Sequence, residues 1–301
     1  KNGKLISEGG GYGAGIGGGN RGTGSDITIS GGEVNATGGT WGAGIGGGKN
    51  GAGSGITISG GEVEATGGSA GAGIGGGYEG DGSNITITDG KVTATGGYGG
   101  AGIGGGHQGA GSYITISGGE VKATGGKYGA GVGGGFKGNG NNIAITGGEV
   151  NATSNSCGAG IGGGGGGDGS DITVSGAAKL KVRGGVEDSF YGAGAGIGNG
   201  GSCDERAIPT PGAEVEPDTS RLTTNGSIEY YAPGADMENG TPTSTTVGAS
   251  SQPEKPTDPG AERGADAPLY RVTDQDGKDI AHKAERKDGV LTVTVDADFA
   301  I

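Results

Sequence analysis

The chain has 301 residues, of which 85 are glycine and nine proline, and its formal net charge is −13. With 30% hydrophobic and 4% aromatic residues, it holds too little apolar material for a conventional enzyme core of this length, and the absence of a G-X-Y period excludes collagen. No apolar run approaches the roughly 20 residues a bilayer span needs, and an acidic chain without basic clusters is a poor binder of nucleic acid or anionic membrane.

The sequence opens Lys1-Asn2-Gly3-Lys4 and ends in a strand-like run from Val290 to Ile301. It reads as a piece of a larger protein, with any targeting signal or wall anchor outside it. Residues 1–203 carry 11 Lys/Arg against 14 Asp/Glu, a net of −3; residues 204–301 carry 9 against 19, a net of −10.

Self-similarity organises the first part. Gly13-Ala14-Gly15-Ile16-Gly17-Gly18-Gly19 recurs from Gly42, Gly71, Gly100, Gly129 and Gly158, always 29 residues on, with Val132 once replacing isoleucine. A second phrase, Ile27-Thr28-Ile29-Ser30-Gly31-Gly32-Glu33-Val34-Asn35-Ala36-Thr37-Gly38-Gly39, returns at Ile56, Ile85, Ile114 and Ile143, and degraded at Ile172. Each unit holds three short segments of period two, which put one set of side chains inward and the other outward. Glycine pairs supply the corners. Three strands and three corners per unit predict a parallel β-helix of about six to seven coils, like stacked on like at about 4.8 Å. The expected core is an Ile16–Ile161 ladder, a paired ladder from Ile27/Ile29 to Ile143/Ile145, and a Val34–Val150 ladder. The Gly15-type positions predict a bare face of backbone, which a tight lumen or a neighbouring chain would explain.

Residues 204–267 collect most of the prolines among Thr, Ser, Gly and acids, a linker composition, although 227–231 could pair as a final strand. Residues 268–301 read as the start of a truncated β module, with strands at 269–272 and 290–295. Cys157 and Cys203 are too few for a disulfide framework; pairing across neighbouring turns and two free thiols both stay open.

The positions that vary within the fixed frame carry the functional signal. Tyr12, Trp41 and Tyr128 precede the Gly-Ala-Gly phrase, and Tyr78, His107 and Phe136 follow the glycine triplet. Aromatics on a rigid ladder suit sugar rings; capping small apolar strips is the structural alternative. Glu33, Glu62, Glu64, Glu120 and Glu149 mark a polar face that could hydrogen-bond a glycan or hold calcium. Asp168 and Asp171, in a Gly-Asp-Gly-Ser-Asp run, are the candidate metal ligands. Lys91 with Glu62 and Glu120 is the one enzyme-like grouping, and the Thr28/Ser30-type rows could order water.

The two phrases resemble glycine-rich repeats of large surface proteins in gut and anaerobic Gram-positive bacteria. They are similar to a clostridial carbohydrate-binding family with a right-handed parallel β-helix. Over residues 4–203 the resemblance implies binding of plant cell-wall or acidic polysaccharide, with calcium among the coils. That family carries Gly-Asp-Gly-Ile where this sequence has Gly-Ala-Gly-Ile, so the expected aspartate is missing.

The expectation is an extracellular, non-catalytic adhesin or polysaccharide-binding module of a bacterial cell surface. Its partner would be a polysaccharide or glycoprotein glycan, with the cell wall reached through regions outside this sequence. Nucleic acid and direct membrane insertion are not expected. A structural stalk is the alternative, followed by a polysaccharide lyase or hydrolase and an ice-binding protein.

Overall fold

A computed structural model describes residues 3–187, 189–203 and 208–248, and the backbone of the strands His282–Lys287 and Val290–Val295. The chain divides into two units, 1–251 and 252–301.

The first unit is the expected parallel β-solenoid. Its innermost ladder is a row of two-residue strands, Ile16–Gly17, Ile45–Gly46, Ile74–Gly75, Ile103–Gly104, Val132–Gly133, Ile161–Gly162 and Ile197–Gly198, paired in register and in parallel. A second sheet carries the threonine strands and the valine strands together, joined by the long bent strands Gly53–Thr66 and Gly82–Thr95. From Lys4–Glu8 to Glu149–Thr153 each valine-strand residue sits on its counterpart 29 positions away, as Val34 on Val63, Val92 on Val121 and Val121 on Val150, and the next step, Val150 on Leu180, is 30. The inward Ile, Val and Ala residues form one continuous buried cluster from Ile29 to Ile228.

The Gly15-type positions are not an exposed face. Gly44 is buried, and a Cβ there would stand 2.7 Å from the Gly73 carbonyl oxygen and 2.7 Å from the Thr66 amide nitrogen. The valine strand's backbone lies across this position, so a tight interior excludes the side chain. The next glycine in the strand is constrained twice over. Gly104 has φ +130, and a Cβ on it would overlap the carbonyl oxygen of Gly133 in the coil above.

The composition of residues 204–267 suggests a linker, but residues 208–248 pack on the last coil. Asp218 and Leu222 bridge to Thr173 and Gly176, and Ser227–Tyr230 adds a parallel rung on Lys179–Arg183. Ile228 and Leu222 are buried in the main cluster. Prolines fall outside these pairings, and the final strand that 227–231 could form is present within this packed segment. Ser244–Val247 then returns antiparallel. Glu214 closes the inner ladder: its carboxylate accepts the N–H of Gly196 at 2.7 Å and of Ile197 at 3.0 Å.

In the second unit, the expected strand Val290–Val295 is present, paired antiparallel with His282–Lys287. The expected partner run at 269–272 lies outside the described residues.

Gly104→Ala should lower stability by about 3 kcal/mol or more, because it combines a disfavoured φ with a backbone overlap. Chemical denaturation would measure it. Gly166→Ala, at φ +74 but with nothing nearer than 3.8 Å to its Cβ, should cost only about 1 kcal/mol.

Candidate functional site

The segment between the two variable positions is short and rigid: a tight turn, a two-residue strand, a second tight turn. The turns bring together residues of successive coils that lie 37 apart. Lys49 donates its backbone N–H to the Tyr12 carbonyl at 2.7 Å, Tyr78 to Trp41 at 2.8 Å, His107 to Ala70 at 2.8 Å, Phe136 to Gly99 at 2.8 Å and Gly165 to Tyr128 at 2.7 Å. The sequence presents two separate sets of variable corners; the fold merges them into one edge.

Along that edge the rings form a chain. Trp41 meets Tyr78 edge-to-face at 4.7 Å, Tyr78 stacks on His107 at 5.3 Å, and His107 lies 5.2 Å from Phe136. Phe136 reaches Tyr128 at 5.2 Å, and Tyr128 meets Tyr98 at 4.9 Å and Tyr191 at 5.3 Å. Lysines lie over the rings: Lys49 at 5.3 Å from Tyr12 and 5.2 Å from Trp41, and Lys127 at 5.0 Å from both Tyr128 and Tyr191. Such contacts are worth roughly 0.5–1.5 kcal/mol per aromatic pair, so the row stabilises the edge whatever else it does.

The candidate aromatics divide by exposure. Tyr12 and Tyr98 are 51% and 55% exposed, and Trp41, Tyr78, His107 and Phe136 are half-buried. Tyr128 is buried; its hydroxyl accepts from Tyr98 at 3.0 Å and donates to Tyr191 at 3.1 Å. It belongs to a small core with Tyr191 and the Cys157–Cys203 disulfide, not to an open platform. Cys157 occupies the place that Trp41 and Tyr128 hold in their coils. Gly165 stands where Phe136 stands one coil earlier, and a Cβ there would overlap both sulfurs.

A second row runs beside the rings. Arg21, Asn50, Glu79, Gln108 and Lys137 each follow a ring-row position, and each has φ between +55 and +65. All five side chains are exposed. A non-glycine residue in this left-handed region costs roughly 1–2 kcal/mol. Asn50 Nδ2 donates to Glu79 Oε2 at 2.6 Å across the coils. The Glu79 carboxylate, by hydrogen bond and charge, raises the Tyr78 phenol above its ordinary value. Sequence reasoning placed no function on this row; the fixed spacing of 29 was its only signal.

The acidic candidates lie on the valine face, in a register that reads Lys4, Glu33, Glu62, Lys91, Glu120, Glu149, Lys179. Lys4–Glu33 at 2.6 Å, Lys91–Glu62 at 3.3 Å and Lys179–Glu149 at 3.2 Å are exposed ion pairs, a class worth about 0–1 kcal/mol. Glu64 lies in the neighbouring outward row, on Thr93. The enzyme-like grouping of Lys91, Glu62 and Glu120 is therefore part of a solvated charge row. A groove of about 490 Å³ on the same face is lined by Lys122, Asn151, Lys181, Arg183 and Glu238. Lys181 and Arg183 hold its wall, donating to the Met237 and Ala235 carbonyls at 3.0 and 2.7 Å.

Asp168 donates its backbone N–H to Asn139 Oδ1 at 2.9 Å, and Asp171 accepts from Ser170 Oγ at 3.1 Å. Among the described residues, no three His, Cys, Asp or Glu side chains converge on a point where a metal could sit. The Thr57, Thr86, Thr115 and Thr173 row is in register on the threonine face, interrupted by Ala144.

Five segments, 27–49, 56–78, 85–107, 114–136 and 143–165, match the β-helix repeat family. Each begins at the first inward isoleucine of a threonine strand and ends on the ring-row position after the triplet. All five segments lie within the solenoid, so the repeat match and the observed architecture agree over residues 27–165. No curated protein and no solved structure matches it.

Burial holds the His107 imidazole below its ordinary 6.5. Above 6.5 the ring is neutral in both folded and unfolded chains. As pH falls past 6.5 the unfolded chain takes up the proton first, so stability declines until the folded-state value is passed and then levels. Thermal melts from pH 8 to 5 should show this decline, and His107→Asn should flatten its share of it. Reduction of Cys157–Cys203, which closes a loop with a sequence separation of 46, should cost about 2–4 kcal/mol, read by denaturation with and without reductant.

Proposed function

We propose that this β-helix repeat protein is an extracellular, non-catalytic module that binds polysaccharide or glycoprotein glycan along its aromatic edge. The observation that carries the reading is the row itself. Tyr12, Trp41, Tyr78 and His107 follow one another coil by coil, part of each ring open to solvent. Polar side chains at fixed height stand beside them. Sugar rings combine apolar C–H faces with hydroxyl groups, and an edge of rings flanked by amides and carboxylates complements both. Tyr78 and His107 each give one ring face to the other, so these two offer edges and free outer portions, while Tyr12 and Tyr98, each with a lysine over its ring, keep more than half of their surface exposed.

The disulfide supports the extracellular setting, because such bonds persist in oxidising compartments. A solenoid of stacked coils is also a rigid rod, which suits a surface protein. A plain stalk would share the rod but would need no open rings.

Trp41→Ala combined with Tyr78→Ala should weaken retention on the bound polymer at least tenfold, while Tyr113→Ala, on a different face, should leave it unchanged. A panel of plant, mucin and bacterial polysaccharides, read by calorimetry or affinity electrophoresis, supplies the polymer. A folded wild-type chain that retains none of them would leave the stalk.

A further inference from the structure

The row of left-handed residues is out of keeping with backbone requirements alone. A second row with the same sign of φ exists on the solenoid: Asp26, Gly55, Asn84, Tyr113, Asn142 and Asp171. It is built almost wholly from Asp, Asn and Gly, the residues that tolerate this conformation. The row beside the rings is built differently. Arg21, Glu79, Gln108 and Lys137 are long side chains with no such tolerance, and only Asn50 belongs to the usual set.

Glycine would serve at these positions. Gly166 occupies the equivalent place one coil beyond Lys137, at φ +74, with a Cβ there meeting the Lys137 side chain at an ordinary 3.8 Å. The frame therefore carries an avoidable conformational penalty at Glu79 and Gln108, and what it gains is a long polar side chain beside each ring. Strain retained at exposed, adjacent positions points from the backbone to the side chains' use.

The chemistry of the arms limits the ligand. Asn50, Glu79 and Gln108 present amide, carboxylate and amide at successive rungs, about 4.8 Å apart, a mixture of donors and acceptors suited to hydroxyl groups. Glu79 sets a carboxylate between the two amides, where it repels uronate or sulfate, while the cations Arg21 and Lys137 stand at the outer ends of the row and Lys49 lies over the Trp41 ring.

We infer that Asn50, Glu79 and Gln108 are the specificity-determining arms of the edge, reading the hydroxyls of a neutral linear polysaccharide laid along the solenoid axis. The inference rests on the glycan-binding reading above and names the ligand class of that site.

The test uses the full chain with cellohexaose, mannohexaose and xylohexaose as neutral probes and a hexamer of galacturonate as the anionic one. Wild type should bind a neutral hexamer at least tenfold more tightly than the uronate. Glu79→Gly with Gln108→Gly should weaken that binding at least tenfold while leaving the melting temperature unchanged or higher, since the strain is removed. A merely structural role would leave affinity untouched. Glu79→Asn with Gln108→Asn, which keeps a left-handed-tolerant residue but shortens the arm, should weaken binding in the same direction and covers any folding defect of the glycine variant.

Full affinity in both double variants, or preference for the uronate, would overturn the inference. If the Trp41/Tyr78 variant then still lost binding, the glycan reading would survive without it. A wild type that binds no probe and no polymer of the wider panel would remove both.

Discussion

Each coil has to lie on the next at the separation of a parallel sheet, with every residue facing its own copy. That single condition dictates the composition. Where two strands of one coil cross closely, as Gly44 does against the Thr66 backbone, or where φ turns positive under a carbonyl, as at Gly104, any side chain is excluded. Where the strands stand apart, Ile and Val fill the space in unbroken ladders. The high glycine content is thus a property of a narrow interior, not of flexibility. The same condition converts any residue type repeated at 29 into a row, so that rings, threonines and charges all line up.

Rows reward some side chains and penalise others. Rings gain from contact with rings, and the aromatic edge runs without a gap from Trp41 to Tyr191. Like charges gain nothing, and the valine face interrupts its glutamates with Lys91 and Lys179. In the coil that carries a ring at neither position, Cys157 and Gly165 stand there, and a covalent bond takes over the role of ring packing.

The period of 29, the three strands per coil and the three core ladders could all be read in the sequence, because stacking in register leaves the same residues at the same places. The aromatic and acidic candidates could also be found, as departures from a fixed frame. Their arrangement could not. The edge depends on hydrogen bonds between residues 37 apart, such as Trp41 and Tyr78, and an offset that mixes one repeat with a turn leaves no periodic trace. The burial of Tyr128 depends on Tyr191, which arrives on an insertion after Arg183 and breaks the count. The positive φ of Glu79 and Gln108 is invisible because neither residue type signals it. Within 208–248 the strand around Ile228 could be read, but the packing of the rest could not, because prolines and acids dominate the composition around the anchoring Leu222.

The reversal of direction at Ser244–Val247 bears on self-association. A stack of identical parallel rungs offers each terminal coil as a template for another, and end-to-end growth into fibres is the hazard of such a design. Here the last parallel rung, Ser227–Tyr230, is already covered by a strand running the opposite way. The carboxylate of Glu214 likewise holds the amide groups that a new inner strand would need. A coil from another molecule therefore meets a reversed strand on one sheet and occupied donors on the other, so the in-register parallel stacking of the solenoid does not simply continue past these elements.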